Sequence, residues 1–295
     1  MASTLIQPNG QLAVLPPHEA NPPWVFANAL FHTIPLLVFP IIFVRSVFDK
    51  WFRHTSLGLY SAVASAREKG AWYCQDERLL RLLWKKASAK PYVGRLEFQV
   101  REGYCGSSTL RNILRSLGLD GERLPPQVRG ESSPKRWCPQ IEETARAFQE
   151  GNDVEERFEL KTSVLNGSVP YDKFLQSLRE RIADKNTRVA CNFLRSALFG
   201  FERSRLVPLN LMIAVFGGHF SPIVGIVERS DLEGGGWTDG ERGEENDPLV
   251  AVFDTNAKYG GVYFVRARAL HRAVRAVDVS KNEPRALIFV ERRKL

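Results

Sequence analysis

What the sequence lacks is a cysteine framework. Its four cysteines, Cys74, Cys105, Cys138 and Cys191, are widely scattered and form no CxxC pair. That argues against a disulfide scaffold and a structural zinc site, and it fits a reducing compartment. Internal repeats are absent, which excludes solenoids and propellers. The net charge is +8, yet cations and acids are interleaved along helix-like stretches such as RERIADKNTR. No RNP-like strand, zinc finger or basic arm is present, so nucleic acid is not an expected partner. Histidine is scarce as well, with five in 295 residues. Any search for a catalytic base is therefore short.

Charge is missing from the N-terminus. Residues 1–23 carry one charged side chain, Glu19, and residues 24–44, WVFANALFHTIPLLVFPIIFV, carry none. At 1.5 Å per residue, about 21 residues cross a bilayer. Trp24 and Trp51 flank the run, and Arg45, Lys50 and Arg53 follow on its C-terminal side. The expectation is a single-pass membrane anchor in an N-terminal unit, residues 1–55, with the body, residues 56–295, in the cytoplasm. A signal peptide needs a basic start and a small-residue cleavage site, and neither is clear. Pro35, Pro40 and His32 interrupt the run. A re-entrant or interfacial helix, or a buried hydrophobic hairpin, therefore also fits.

From about residue 56 the pattern is globular, and the hydrophobic fraction of 44% is ordinary for a sizeable core. Helices are expected over SAVASAREKGAWY, DERLLRLLWKKASAKPY, residues 107–117, 138–150 and 171–185. Strands are expected over 188–194, 220–228, 248–254, 261–265 and 286–291. Helices first and strands afterwards predict an α+β domain with an antiparallel sheet. The stretch ERSDLEGGGWTDGERGEENDP reads as an exposed loop.

Residues 99–110, QVREGYCGSSTL, place a cysteine where a helix begins. Leu110, Ile113, Leu114 and Leu117 form one apolar stripe, Gly118 is a stop, and Ser107 and Ser108 offer hydroxyls for the first turn. Free N–H groups and the positive end of the helix dipole favour a thiolate there. A packed, inert core thiol fits the same position. A nucleophilic thiol needs a base. His18 and His32 fall in the N-terminal unit, His54 beside its basic flank, and His271 in the polar helix-like run ARALHRAV. His219, in GGHFSPIVGI, remains. If FSPIVGIVE and PLVAVFD are antiparallel neighbours, pairing His219 with Asp254 puts the midpoint near residue 236, inside the GGGW tip. Asp254 can then orient the imidazole, although a plain turn residue fits equally. Gln99, six residues before Cys105, can aim an amide N–H at an oxyanion beside the Cys105 N–H.

The set Gln99–x5–Cys105–Gly106, then Gly218-His219-Phe220-Ser221-Pro222-Ile223, then Asp254 followed by Lys258-Tyr259, resembles the phytochelatin synthases. These are papain-like cysteine peptidases turned to transpeptidation. The YCG and GHFSPI runs carry the likeness, which covers about residues 60–280. The resemblance implies a papain-like fold with Cys105 as nucleophile, His219 as base, Asp254 as orienter and Gln99 as oxyanion donor. It implies substrate contacts from Tyr104, Gly106, Gly218, Ser221, Lys258 and Tyr259. The implied reaction is a glutathione γ-glutamylcysteinyl transfer. Glycine leaves glutathione, and the γ-glutamylcysteinyl thioester passes to a second glutathione or to water. The implied partners are glutathione and metal–glutathione complexes, with a homodimer left open. No tightly bound cofactor or protein metal site is expected, and cadmium, zinc and copper act through glutathione thiolates.

The chain departs from that pattern in places. DTNAKY lacks the family's basic residue before the KY pair, which leaves Lys258 to recognise the glutamyl carboxylate. The family's paired cysteines shrink to Cys138, and residues 196–214 and 229–247 look like insertions. Without a Cys-rich C-terminal domain the chain looks like the short members, in which hydrolysis can dominate. Two alternatives stand beside the transferase. One is a hydrolase of glutathione or its S-conjugates on the same triad. The other is a catalytically degenerate, membrane-bound interaction protein.

Overall fold

Seven antiparallel strands make the central sheet: β3 (Tyr73–Cys74), β4 (Phe158–Asn166), β5 (Thr187–Leu194), β6 (Gly218–Val227), β7 (Leu249–Phe253), β8 (Val262–Arg266) and β11 (Ala286–Lys294). Their order across the sheet is β3-β8-β7-β6-β5-β11-β4. The computed structural model describes residues 4–6, 12–14, 73–74, 77–101, 103–119, 124–128, 134–151, 157–195, 198, 218–232, 247–257, 261–278 and 283–295. Among the described residues five helices accompany the sheet: α1 (Glu77–Lys85), α2 (Cys105–Ser116), α3 (Pro134–Glu150), α4 (Tyr171–Ala183) and α5 (Ala267–Arg275). Two small hairpins stand apart, β1 (Thr4–Ile6) with β2 (Leu12–Val14) and β9 (Val277–Asp278) with β10 (Glu283–Pro284). The chain is thus α+β with an antiparallel sheet, as the element pattern predicts.

Helices cover both faces of the sheet. Phe174 and Leu178 of α4 and Leu270 and Val274 of α5 pack with Val189, Cys191, Leu287 and Phe289. Leu110, Ile113 and Leu114 of α2 and Ile141 of α3 pack with Ala190, Phe220, Ile288 and Val290 on the other side. Leu79 and Leu83 of α1 close the far end against Val227 and Phe264. Alternate residues of β5 and β11 therefore feed opposite layers, and both rows are buried. That is why VACNFL and LVAVF read as unbroken apolar runs. The predicted stripe of α2 is the buried one, with Ile113 and Leu114 fully enclosed. Each such side chain contributes about 1.5–3 kcal/mol, and Ile113→Ala costs about 2–5 kcal/mol. Gly118 ends the helix at φ +90°, a conformation that suits glycine.

Three expectations need correction. FELKTSVLN was not expected as a strand, yet it forms β4, between α3 and α4. Its first four residues alternate buried and exposed, as an edge strand should. Helices do not simply precede strands, because α5 separates β8 from β11. The helix expected over SAVASAREKGAWY lies largely outside the described residues, and Tyr73 at its end belongs to β3. The apolar run 24–44 also lies outside them. Among the described residues no helix is long and apolar enough to cross a membrane.

The edge strand β4 is covered by side chains. Gln149 accepts from the Phe158 N–H and donates to the Phe158 carbonyl, both at 2.8 Å. Glu142 accepts from the Thr162 N–H at 2.7 Å. Elsewhere one glycine permits a close approach: a Cβ at Gly167 would stand 2.3 Å from the Val274 carbonyl oxygen. The turn after β4 can therefore lie against the end of α5.

Candidate active site

α2 starts with Cys105 itself, and Tyr104, the residue before it, makes no side-chain cap. The serine hydroxyls expected to cap the helix turn elsewhere. Ser107 Oγ donates to the Tyr104 and Val128 carbonyls, and Ser108 Oγ to the Glu97 carbonyl. The positive end of the helix is thus left for the thiol.

Glu97 ties the preceding segment to α2. Its carboxylate accepts from Arg111, Arg115 and Gln127, and its backbone N–H donates to Asn112 Oδ1 at 2.7 Å. Two residues on, the Gln99 N–H donates to the Thr255 carbonyl at 2.7 Å. The Thr255 hydroxyl donates to Gln99 Oε1 at 3.0 Å. With Oε1 taken, Nε2 is the end of this buried amide left to donate.

His219 is the second residue of β6, and its Nε2 lies 2.9 Å from Asp254 Oδ1. Asp254 follows β7 directly and is fully buried. The two strands are neighbours, as the hairpin argument requires, but the register differs from the one expected. Ile223 pairs with Val252, and an irregularity at Val224 shifts the ladder by one residue. Continued past Ile223, this register sets Ser221 opposite Asp254, so His219 is a diagonal neighbour. Diagonal pairs remain within reach of long side chains. Phe193 meets the imidazole edge-on, with centroids 5.5 Å apart. Since Nε2 faces Asp254, Nδ1 is the nitrogen left for the Cys105 thiol, on which His219 is the strongest influence favouring the thiolate.

The electrostatics favour a charged pair. Burial pushes the Cys105 thiol up, but the His219 bond and charge, the Phe220 backbone and Arg195 together bring it below its ordinary value. Burial and Arg195 push His219 down, and Asp254 and Cys105 more than reverse this. Burial raises Asp254 too, yet Arg195, His219 and the Asn256 N–H hold it at about 2. Both shifts run towards the charged forms, a thiolate and an imidazolium. Cys191 behaves oppositely. Burial pushes its thiol far up, and its Sγ donates to the Ser221 carbonyl.

Two arginines were missed at the sequence level. Arg195 Nη2 lies 2.8 Å from Asp254 Oδ1 and 2.8 Å from His219 Nε2. The first is an ion pair. The second cannot be a hydrogen bond while Nε2–H donates to Asp254, and there Arg195 opposes the imidazolium. Arg285 is buried beside Gly218, where a Cβ would stand 3.5 Å from its Nε and Nη2. Its Nη1 donates to the Ala276 carbonyl, while Nε and Nη2 have no partner among the described residues. Burial lowers its pKa to about 10, partly offset by Asp278. The available signal was a lone cation at each end of an apolar run, RVACNFLR and RALIFV. Such a residue reads as a strand terminator until burial is known.

The other expected contacts are scattered in character. Tyr104 is half-buried at the helix start, and the Gly106 carbonyl accepts from Trp137 Nε1 at 3.0 Å. Gly218 adjoins Arg285, whereas Ser221 is wholly buried with an unpartnered hydroxyl. Lys258 and Tyr259 lie outside the described residues. His271 is structural, bonding the Val169 carbonyl at 2.8 Å between Phe174 and Tyr171. Among the described residues no His, Cys, Asp and Glu group can hold a metal ion. Comparison with known proteins adds nothing to this geometry: no protein-family model matches the chain, and no curated protein matches it.

Proposed function

We propose that the chain is a cysteine acyltransferase of the phytochelatin synthase type, built on a papain-like arrangement. The observation that carries the reading is the Cys105 thiol at an uncapped helix start, its charge favoured by an imidazole that is paired at 2.9 Å with a buried carboxylate. In the proposed reaction the Cys105 thiolate attacks the carbonyl that joins γ-glutamylcysteine to glycine. The oxyanion takes the Cys105 N–H and Gln99 Nε2. His219 Nδ1–H gives its proton to the departing glycine nitrogen, and a thioester remains on Sγ. His219 then accepts a proton from the amine of a second glutathione, which displaces Sγ and yields the longer peptide. Water in place of that amine gives hydrolysis.

Arg285 supplies what Lys258 was expected to supply. Its buried, unpartnered Nε and Nη2 edge has the two-bond geometry that a carboxylate requires and lies against the residue that precedes His219, so a substrate would reach it only by displacing what covers it. The donor peptide carries two such carboxylates. Heavy-metal ions enter the proposal as part of the thiolate substrate, and residues 24–44 as the element that holds the enzyme on a membrane.

The test is a product assay. Purified protein is incubated with glutathione, with and without cadmium, and separately with S-methylglutathione, and products are resolved by mass. Glycine release with oligomers supports transfer. Glycine release with free γ-glutamylcysteine assigns the hydrolase. No glycine from any of these substrates refutes both.

A further inference from the structure

Far from the thiol, the other end of α2 borders a second charged feature. The helix runs from Cys105 to Ser116, about 18 Å at 1.5 Å per residue. A cavity of about 480 Å³ opens at its C-terminal end. Five cations from separate segments line it: Lys90, Arg95, Lys185, Arg188 and Arg292. No carboxylate is found among its described lining residues.

The helix end accounts for part of this charge. Arg95 Nη1 donates to the Arg115 carbonyl at 3.2 Å, Arg188 Nη2 to the Ser116 carbonyl at 3.1 Å, and Arg292 Nη1 to the Leu117 carbonyl at 3.3 Å. A helix C-terminus offers about half a negative charge; Arg292 has further partners of its own, and Lys90, Arg95, Lys185 and Arg188 exceed that half charge without it. Asp184, the carboxylate that acts on Arg188, is engaged by the Thr187 hydroxyl at 2.6 Å and the Asn186 N–H at 3.0 Å. Lys90 and Lys185 are exposed at the rim, and among the described residues neither is in an ion pair. Arg188 is 7% exposed and donates to Ser116 Oγ and to the Lys185, Thr187 and Ser116 carbonyls; burial acts most against its charge, Tyr92 and Asp184 favour it, and Arg292 and Arg95 oppose it. A buried cation that faces like charges is costly unless an anion joins it.

We propose that this cavity binds a phosphate-class dianion, either a free phosphate or pyrophosphate group or the phosphate of a lipid headgroup. Guanidinium forks on the wall and lysine point charges at the rim suit a tetrahedral oxyanion that carries two charges. The site is remote from Cys105 and stands independently of the acyl-transfer reading.

Arg188 is a poor test position, since its removal would leave the buried Ser116 groups without donors. Lys90→Gln with Lys185→Gln removes two exposed charges and leaves the core intact. Full-length protein is titrated with pyrophosphate and with inorganic phosphate by calorimetry. Sedimentation with vesicles compares pure phosphatidylcholine with phosphatidylcholine that contains phosphatidylinositol phosphate. The expected result is one anion per chain, bound more weakly as salt rises and about tenfold more weakly in the double variant. The unliganded thermal midpoint should be unchanged. Preferential binding to the phosphoinositide vesicles, lost in the variant, identifies a lipid source. A response to the soluble anions alone identifies a free phosphate. Binding to neither, or binding equal in wild type and variant, overturns the proposal.

Discussion

Replacing Asp254 with asparagine separates charge from geometry at the His219–Asp254 pair. Three donors converge on one oxygen of this residue: His219 Nε2, Arg195 Nη2 and the Asn256 N–H all reach Oδ1. Oδ2 is buried and has no partner. An amide at this position must put its oxygen where Oδ1 was, and its NH2 falls at the unpartnered site. The substituted amide therefore still accepts from Nε2–H, and the tautomer that presents Nδ1 to Cys105 is kept. Only the negative charge is lost. The size of that loss follows from the carboxyl itself, held at about 2 against an ordinary 3.8, which corresponds to about 2 kcal/mol. With the carboxylate gone, Arg195 still opposes the imidazolium, so His219 falls and the Cys105 thiol rises. The thiolate fraction at neutral pH should drop about 10- to 100-fold. Asp254→Ala loses the acceptor as well and should cost more. The assay is the rate of iodoacetamide alkylation of Cys105 against pH, which needs no knowledge of substrate. Superimposable profiles for wild type and Asp254→Asn would refute the ion-pair reasoning.

Further outcomes follow from the same geometry. Cys105→Ser should abolish thioester formation and turnover, while Cys191→Ser, at a thiol bonded to a carbonyl and pushed up by burial, should keep both; mass spectrometry of trapped intermediates reads the difference. Arg285→Met should raise KM for glutathione about tenfold or more, yet raise the thermal midpoint, because a buried guanidinium with two unpartnered nitrogens is exchanged for an apolar chain. Failure of the two effects to diverge would remove Arg285 from substrate recognition. Asp254 also sets an acid limit. Its folded pKa lies below the unfolded one, so its contribution to stability is complete above about pH 4 and fades as pH falls towards 2. Urea midpoints across that window should decline less steeply in Asp254→Asn, provided the variant remains folded.

Much of the fold was legible because the sheet is buried on both faces. VACNFL, FSPIVGIV and LVAVF are long apolar runs with β-branched members, and each is a strand. The stripe of α2 and its glycine stop were legible for the complementary reason, a 3.6-residue period with one buried side. β4 escaped notice because an edge strand carries Glu159 and Lys161 between its apolar residues. The nearness of His219 and Asp254 could be inferred from hairpin symmetry, but the irregularity at Val224 could not. A one-residue shift leaves no mark in composition. Arg195 and Arg285 were illegible as site residues, since what distinguishes them is burial and the partners they have or lack, and only tertiary packing sets those.

The plugs on β4 bear on how the molecule meets its own copies. An open sheet offers its last strand as a template on which an unfolded or neighbouring chain can add a further strand. At one border that strand, β3, is two residues long and too short to recruit anything. At the other border, β4 has nine residues, all matched to β11 on the inner side. Its outward peptide groups fall at alternate residues. Gln149 occupies both groups of Phe158, and Glu142 occupies the Thr162 N–H. Two side chains thus imitate a neighbouring strand over the first half of β4 and obstruct the addition of a further strand there.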